Sequence, residues 1–125
     1  ANSGEIEEAI ALYQQSLAID EQIGDVQGKA ATLHCLGRLK ANSGEIEEAI
    51  ALYQQSLAIN EQIGAVQGQA MTLGWLGGMA EQQGNYNQAL DYLQAALEIL
   101  QRIQSPDAEV VRQMVARVED LIRNS

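Results

Sequence analysis

ANSGEIEEAIALYQQSLAI occupies residues 1–19, and the same nineteen letters occupy residues 41–59. A shift of forty continues the match, with EQIG at 21–24 and 61–64 and VQG at 26–28 and 66–68. Differences gather in the second half of the period: Asp20/Asn60, Asp25/Ala65, Lys29/Gln69, Ala31/Met71, His34/Gly74, Cys35/Trp75, Arg38/Gly78, Leu39/Met79 and Lys40/Ala80. A divergent third copy, GNYNQALDYLQAALEIL at 84–100, aligns with GEIEEAIALYQQSLAIN at 44–60. A period of about twenty to fifty residues marks stacked supersecondary units, each unable to bury its apolar face alone.

Each unit reads as two helices. Ile6, Ile10, Tyr13 and Leu17 recur at spacings of four, three and four, one face of a helix. Leu12, Ile19 and Ile23 form a second apolar strip, so this helix should touch neighbours on two sides. Ser3 is placed to cap it, with Glu5, Glu7 and Glu8 favoured near the positive end of the helix dipole. Gly24 is placed to end it. The next helix carries Ala30, Leu33, Leu36, Gly37 and Leu39 and stops at the turn Asn42-Ser43-Gly44. The last opens on Ser105-Pro106-Asp107, a cap, a proline at the first helical position and an acid. Six helices are predicted, at 3–23, 26–41, 44–63, 66–82, 85–104 and 106–123, with no strand signals and with connections short enough to make neighbours antiparallel.

This pattern resembles the tetratricopeptide repeat family. Its signature is a Leu-Gly pair in the first helix of each unit and small, aromatic and small residues in the second. Here Leu36-Gly37 precedes Gly44, Ala49, Tyr53 and Ser56-Leu57, and Leu76-Gly77 precedes Gly84, Ala89, Leu93 and Ala96-Leu97. The opening segment supplies only the second half, Gly4, Ala9, Tyr13 and Ser16-Leu17. The forty-residue period resembles the long-helix subclass. The resemblance implies an all-α solenoid of antiparallel helix pairs, wound as a right-handed superhelix with a concave groove. It would comprise a half repeat at 1–24, repeats at 25–64 and 65–104, and a capping helix at 105–125. The missing initiator Met and the entry at a second helix read as a piece of a longer repeat array. With no companion for that helix, Ile6, Ile10, Tyr13 and Leu17 are candidate self-association residues, covered by another copy about a twofold axis. Each large apolar side chain left in water forfeits about 1.5–3 kcal/mol.

In this family the first helix of each pair lines the groove, which makes Ala31, His34, Cys35, Arg38, Met71, Gly74, Trp75 and Gly78 the candidate partner-binding residues. Arg112, Met114 and Arg117 on the last helix are further contributors. The Lys/Asn/Arg clamp for peptide carboxylates is missing, because Gly74 and Gly78 stand where it would continue. Two readings of the helix around Trp75 stay open. Gly74 and Gly78 lie four apart and leave a smooth slot for a partner helix or peptide, with Trp75 as anchor. Alternatively, Trp75 belongs to the core and the glycines make room for it.

Composition narrows the chemistry. The net charge is −10, and residues 1–100 hold thirteen acids against three bases, which accounts for all of it. An acidic body disfavours nucleic acid and anionic membrane surfaces and favours a basic peptide. No apolar run approaches the ~20 residues of a membrane span. Cys35 has no cysteine partner, which points to a reducing, cytoplasmic setting. One His and one Cys cannot fill a zinc site. No phosphate-binding glycine loop is present, and His34 has no acid placed to orient it as a base. No cofactor or metal is therefore expected, nor an enzyme. The expected function is a non-catalytic protein-interaction scaffold. The alternative is a self-assembling module, homodimeric or domain-swapped, natural or engineered, because near-identical copies favour exchange between chains.

Overall fold

The computed structural model describes residues 3–124, with the side chain of Ser3 excepted. The cap expected of Ser3 lies outside the described residues. Six α-helices follow one another: α1 (Ser3–Ile23), α2 (Val26–Asn42), α3 (Ile46–Ile63), α4 (Val66–Gln82), α5 (Tyr86–Arg102) and α6 (Asp107–Arg123). No strand occurs among the described residues. Each helix packs on the next in sequence within two compact units, α1–α3 and α4–α6, divided after Gly64.

The turns between helices depend on left-handed backbone. Gly24, Gly44, Gly64 and Gly84 all have φ between 72° and 83°, a region closed to most side chains. Two expected boundaries move for this reason. α3 starts at Ile46 rather than 44, because Gly44 at φ 83° belongs to the turn. α5 stops at Arg102 rather than 104, because Gln104 takes φ 56°. The duplicated stretch also folds in two ways. Residues 3–5 are helical, whereas the identical 43–45 form the turn that reverses the chain after α2. The first turn of α1 accordingly holds Glu5 alone, while that of α3 holds Glu47 and Glu48.

In the first unit α2 and α3 pack most closely. Gly37 lies beneath Tyr53; a Cβ there would sit 3.0 Å from Tyr53 Cε1. Ala49 and Tyr53 of α3 are completely buried, and Leu33 and Leu36 of α2 are buried as well. The buried Ser56 hydroxyl donates to the Ala30 carbonyl at 2.7 Å, tying α3 to α2. Lys40 bridges the corner, 3.5 Å from Glu45 and 3.0 Å from Glu48. α1 is held by the Thr32 hydroxyl donating to Asp20 at 3.0 Å. The Asp25 carboxylate caps α2 by accepting from the Gly28 amide at 2.9 Å. Ala65, its counterpart, makes no such cap on α4.

The second unit repeats the close approach, with Gly77 against Leu93. α6 presents Ala108, Val111, Val115 and Val118 to its core. Ser105 starts that helix by accepting from the Asp107 amide at 3.2 Å, and Pro106 already has φ −63°.

Candidate functional site

α4 has two faces. Ala70, Thr72, Leu73, Leu76, Gly77, Met79 and Ala80 are buried, Met79 at the edge of this face, and Gly77 is the contact with α5. The other face carries Met71, Gly74, Trp75, Gly78 and Gln82, at helical spacing. Together with Met79, Leu100 of α5 and Asp107, Val111 and Met114 of α6, it lines a groove of about 450 Å³. That size falls within the range of about 300–1,000 Å³ typical of ligand sites. Bidentate bonds from Arg117 to Glu81, at 2.7 and 3.1 Å, join α6 to α4.

Trp75 is 40 % exposed and Met71 52 % exposed, so neither is a core residue. A Cβ at Gly74 or Gly78 would meet nothing within 4 Å. The glycines therefore do not make room for Trp75; they leave bare backbone along the groove.

The structure brings together Met71, Gly74, Trp75 and Gly78, and adds Met114 from the last helix. Neither Arg112 nor Arg117 lines the groove, and each is paired with a carboxylate, Glu109 and Glu81 respectively. Ala31, His34, Cys35 and Arg38 lie in the other unit, on α2. Ala31 and Arg38 are exposed and the other two half-buried. His34 meets the Tyr53 ring edge-on at 5.1 Å between centroids. Burial, aided by the nearby Arg38 charge, pushes the His34 pKa down. Burial pushes that of Tyr53 up to about 12. Cys35 lies beside Tyr13, whose pKa is raised by the electrostatic interaction and hydrogen bond between the two groups.

Met79, Leu100, Val111, Gln82 and Asp107 also line the groove and were not singled out in the sequence. Met79 and Gln82 continue the strip of Met71, Trp75 and Gly78 at helical spacing, a signal the sequence contained. Leu100 joins only because α5 brings its last turn there.

Ile6, Ile10, Tyr13 and Leu17 on α1 are half-buried. The barest strip on that helix is instead Leu12, Ile19 and Ile23, which are 59, 55 and 69 % exposed. A second cleft, of about 340 Å³, involves Leu17, Leu36, Lys40, Glu48 and Leu52. Among the described residues no three His, Cys, Asp or Glu side chains are grouped to hold a metal ion. No described helix is long and apolar enough to cross a membrane.

Successive helix pairs with small residues at their crossings, bearing an apolar groove, define a helical-repeat protein. Tetratricopeptide repeat models match residues 1–62 and 70–107, and the chain belongs to the tetratricopeptide repeat family. Members are typically non-catalytic and generally mediate protein–protein interaction. A Podosopora anserina protein assigned as a kinesin light chain with nearly identical TPR-like repeats superposes with a TM-score of 0.77. It is 21 % identical and covers 92 % of this chain and 58 % of its own. BtubC (BKLC) from P. vanneervenii superposes with a TM-score of 0.76 at 16 % identity, over 98 % of this chain and 52 % of its own. At such identities the likeness is one of fold, and this chain spans little more than half of either structure. The sequence matches none of the curated proteins compared with it.

Proposed function

We propose that this chain is a non-catalytic interaction module and that its α4–α6 groove receives a peptide or helix of a partner protein. The supporting observation is the open space over Gly74 and Gly78 beside a half-exposed Trp75. Each glycine inside a helix costs about 0.5–1 kcal/mol relative to alanine. No contact among the described residues requires either of them, and a smooth, apolar strip is what an incoming segment needs for close approach. An aromatic side chain buries about 150–250 Å², so Trp75 seated against a partner is a strong anchor. Ala31, His34, Cys35 and Arg38 extend the partner-binding reading to the first unit, where a reducing cytoplasm suits a free Cys35.

The test is capture of a partner by the purified protein, compared with Trp75→Ala and Gly74→Arg. Loss of capture in both variants, with the helical circular dichroism unchanged, is the expected result. Retention in both would end this reading.

A second reading is favoured by the bare strip Leu12, Ile19 and Ile23. In it a second copy covers α1, including the half-buried Ile6, Ile10, Tyr13 and Leu17, by pairing or by exchange of identical elements. Sedimentation across a concentration series is expected to show a dimer that Ile19→Glu abolishes. A monomer at high micromolar concentration would exclude it.

A further inference from the structure

We propose that the groove on α4 and α6 selects an amphipathic cationic segment of a partner protein, whose apolar face rests on the methionines while a Lys or Arg pairs with Asp107. This inference rests on the reading of the groove as a protein-binding site.

All three methionines of the 125-residue sequence, Met71, Met79 and Met114, line this one groove, beside its one tryptophan. Methionine is unbranched and polarizable, so such a floor moulds itself to different apolar side chains. A surface of that kind suits the apolar face of a helix or extended segment rather than one ligand of fixed shape.

Charge then selects among segments. Among the described residues, Asp107 is the one ionisable side chain in the lining. All four arginines of the second unit are already paired with carboxylates: Arg102 with Glu98, Arg112 with Glu109, Arg117 with Glu81 and Arg123 with Asp120. Asp107 has no ion pair among the described residues. An acidic segment would thus lose hydration in the groove and meet no uncompensated cation there. A cationic one meets a carboxylate at the groove's edge, in a chain of net charge −10 whose long-range field attracts it.

The experiment uses three synthetic amphipathic peptides with one leucine face and with Lys, Gln or Glu on the other. Each is titrated against the full chain, followed by Trp75 fluorescence and by calorimetry. The Lys peptide is expected to bind about tenfold more tightly than the Glu peptide, and less so as salt rises. Asp107→Asn is expected to weaken the Lys peptide about threefold to fivefold and to leave the Gln peptide unchanged. Asp107→Glu should restore the Lys preference. Asp91→Asn, the same charge change on α5 away from the groove, should have little effect. Equal binding of Lys and Glu peptides, or an Asp91→Asn effect equal to that of Asp107→Asn, overturns the charge selection and leaves the groove reading standing. If no peptide binds, or if Trp75→Ala leaves calorimetric binding intact, the groove reading fails and this inference with it.

Discussion

Gly77 of α4 faces Leu93 of α5 so closely that a Cβ on the glycine would lie 2.7 Å from Leu93 Cγ. Leu93 is completely buried and cannot swing away. Gly77→Ala is therefore expected to destabilise the fold by about 1–3 kcal/mol, the range for overpacking. Gly74→Ala and Gly78→Ala, one turn or less away on the same helix, are each expected to stabilise it by about 0.5–1 kcal/mol. Chemical denaturation of the three variants checks the sign at each position. Three destabilised variants would mean that the space over Gly74 and Gly78 is needed for folding.

Binding should respond in the opposite direction. Methyl groups at 74 and 78 fill the strip along which a partner would approach. The variants that gain stability are expected to lose affinity for any segment bound beside Trp75, a trade-off common at functional sites. Fluorescence titration of Gly74→Ala/Gly78→Ala against the leucine–lysine peptide measures it. Undiminished affinity would show that the glycines do not serve recognition.

Gln104 holds φ 56° where Gly64 and Gly24 stand one and two periods earlier. A side chain in the left-handed region carries strain of about 1–2 kcal/mol. Gln104→Gly should recover much of that, offset by the greater freedom of glycine in the unfolded chain. The expected result is a net gain of about 0.5–1 kcal/mol in thermal or urea unfolding. A loss of stability would mean that the Gln104 side chain contributes more than its backbone costs.

His34 and Tyr53 make stability depend on pH at both extremes. Burial lowers the His34 pKa below its ordinary 6.5. Once pH falls below about 6.5, the unfolded chain binds a proton that the native state resists, so stability drops. The melting temperature is expected to decline as pH falls from about 7 to about 5.5, before most carboxylates titrate, and His34→Gln should flatten that slope. Tyr53 acts in the other direction. Its pKa stands at about 12 against 10.0 when free. Above pH 10 the unfolded chain releases a proton the native chain keeps, so stability falls as pH rises. Absorbance titration should show one tyrosine ionising only as the protein unfolds.

Much of the fold was legible because its signals are local. The spacing of Ile6, Ile10, Tyr13 and Leu17 and the glycines at 24, 44, 64 and 84 act within a few residues of themselves, and the helices follow them. The errors fell where a neighbour intervened. Glycine at 44 extends no helix, since the chain must reverse after α2. Met71, Gly74, Trp75, Gly78 and Met114, which line the groove, were named in the sequence only through the family resemblance. Leu100 and Asp107 were not named, because α5 and α6 reach the groove through their packing.

Sequence alone determined that six helices form and where the chain turns between them, because spacing, capping and turn conformation depend on adjacent residues. Only the tertiary structure decided which glycine of α4 is a packing contact and which are open, and that Trp75 stays outside the core. It also separated two identical serines: Ser56 donates to the Ala30 carbonyl in the core at 2.7 Å, whereas Ser16 lies 3.5 Å from the Thr32 hydroxyl in a half-covered seam. Burial is a property of what a helix meets, and identical letters meet different neighbours.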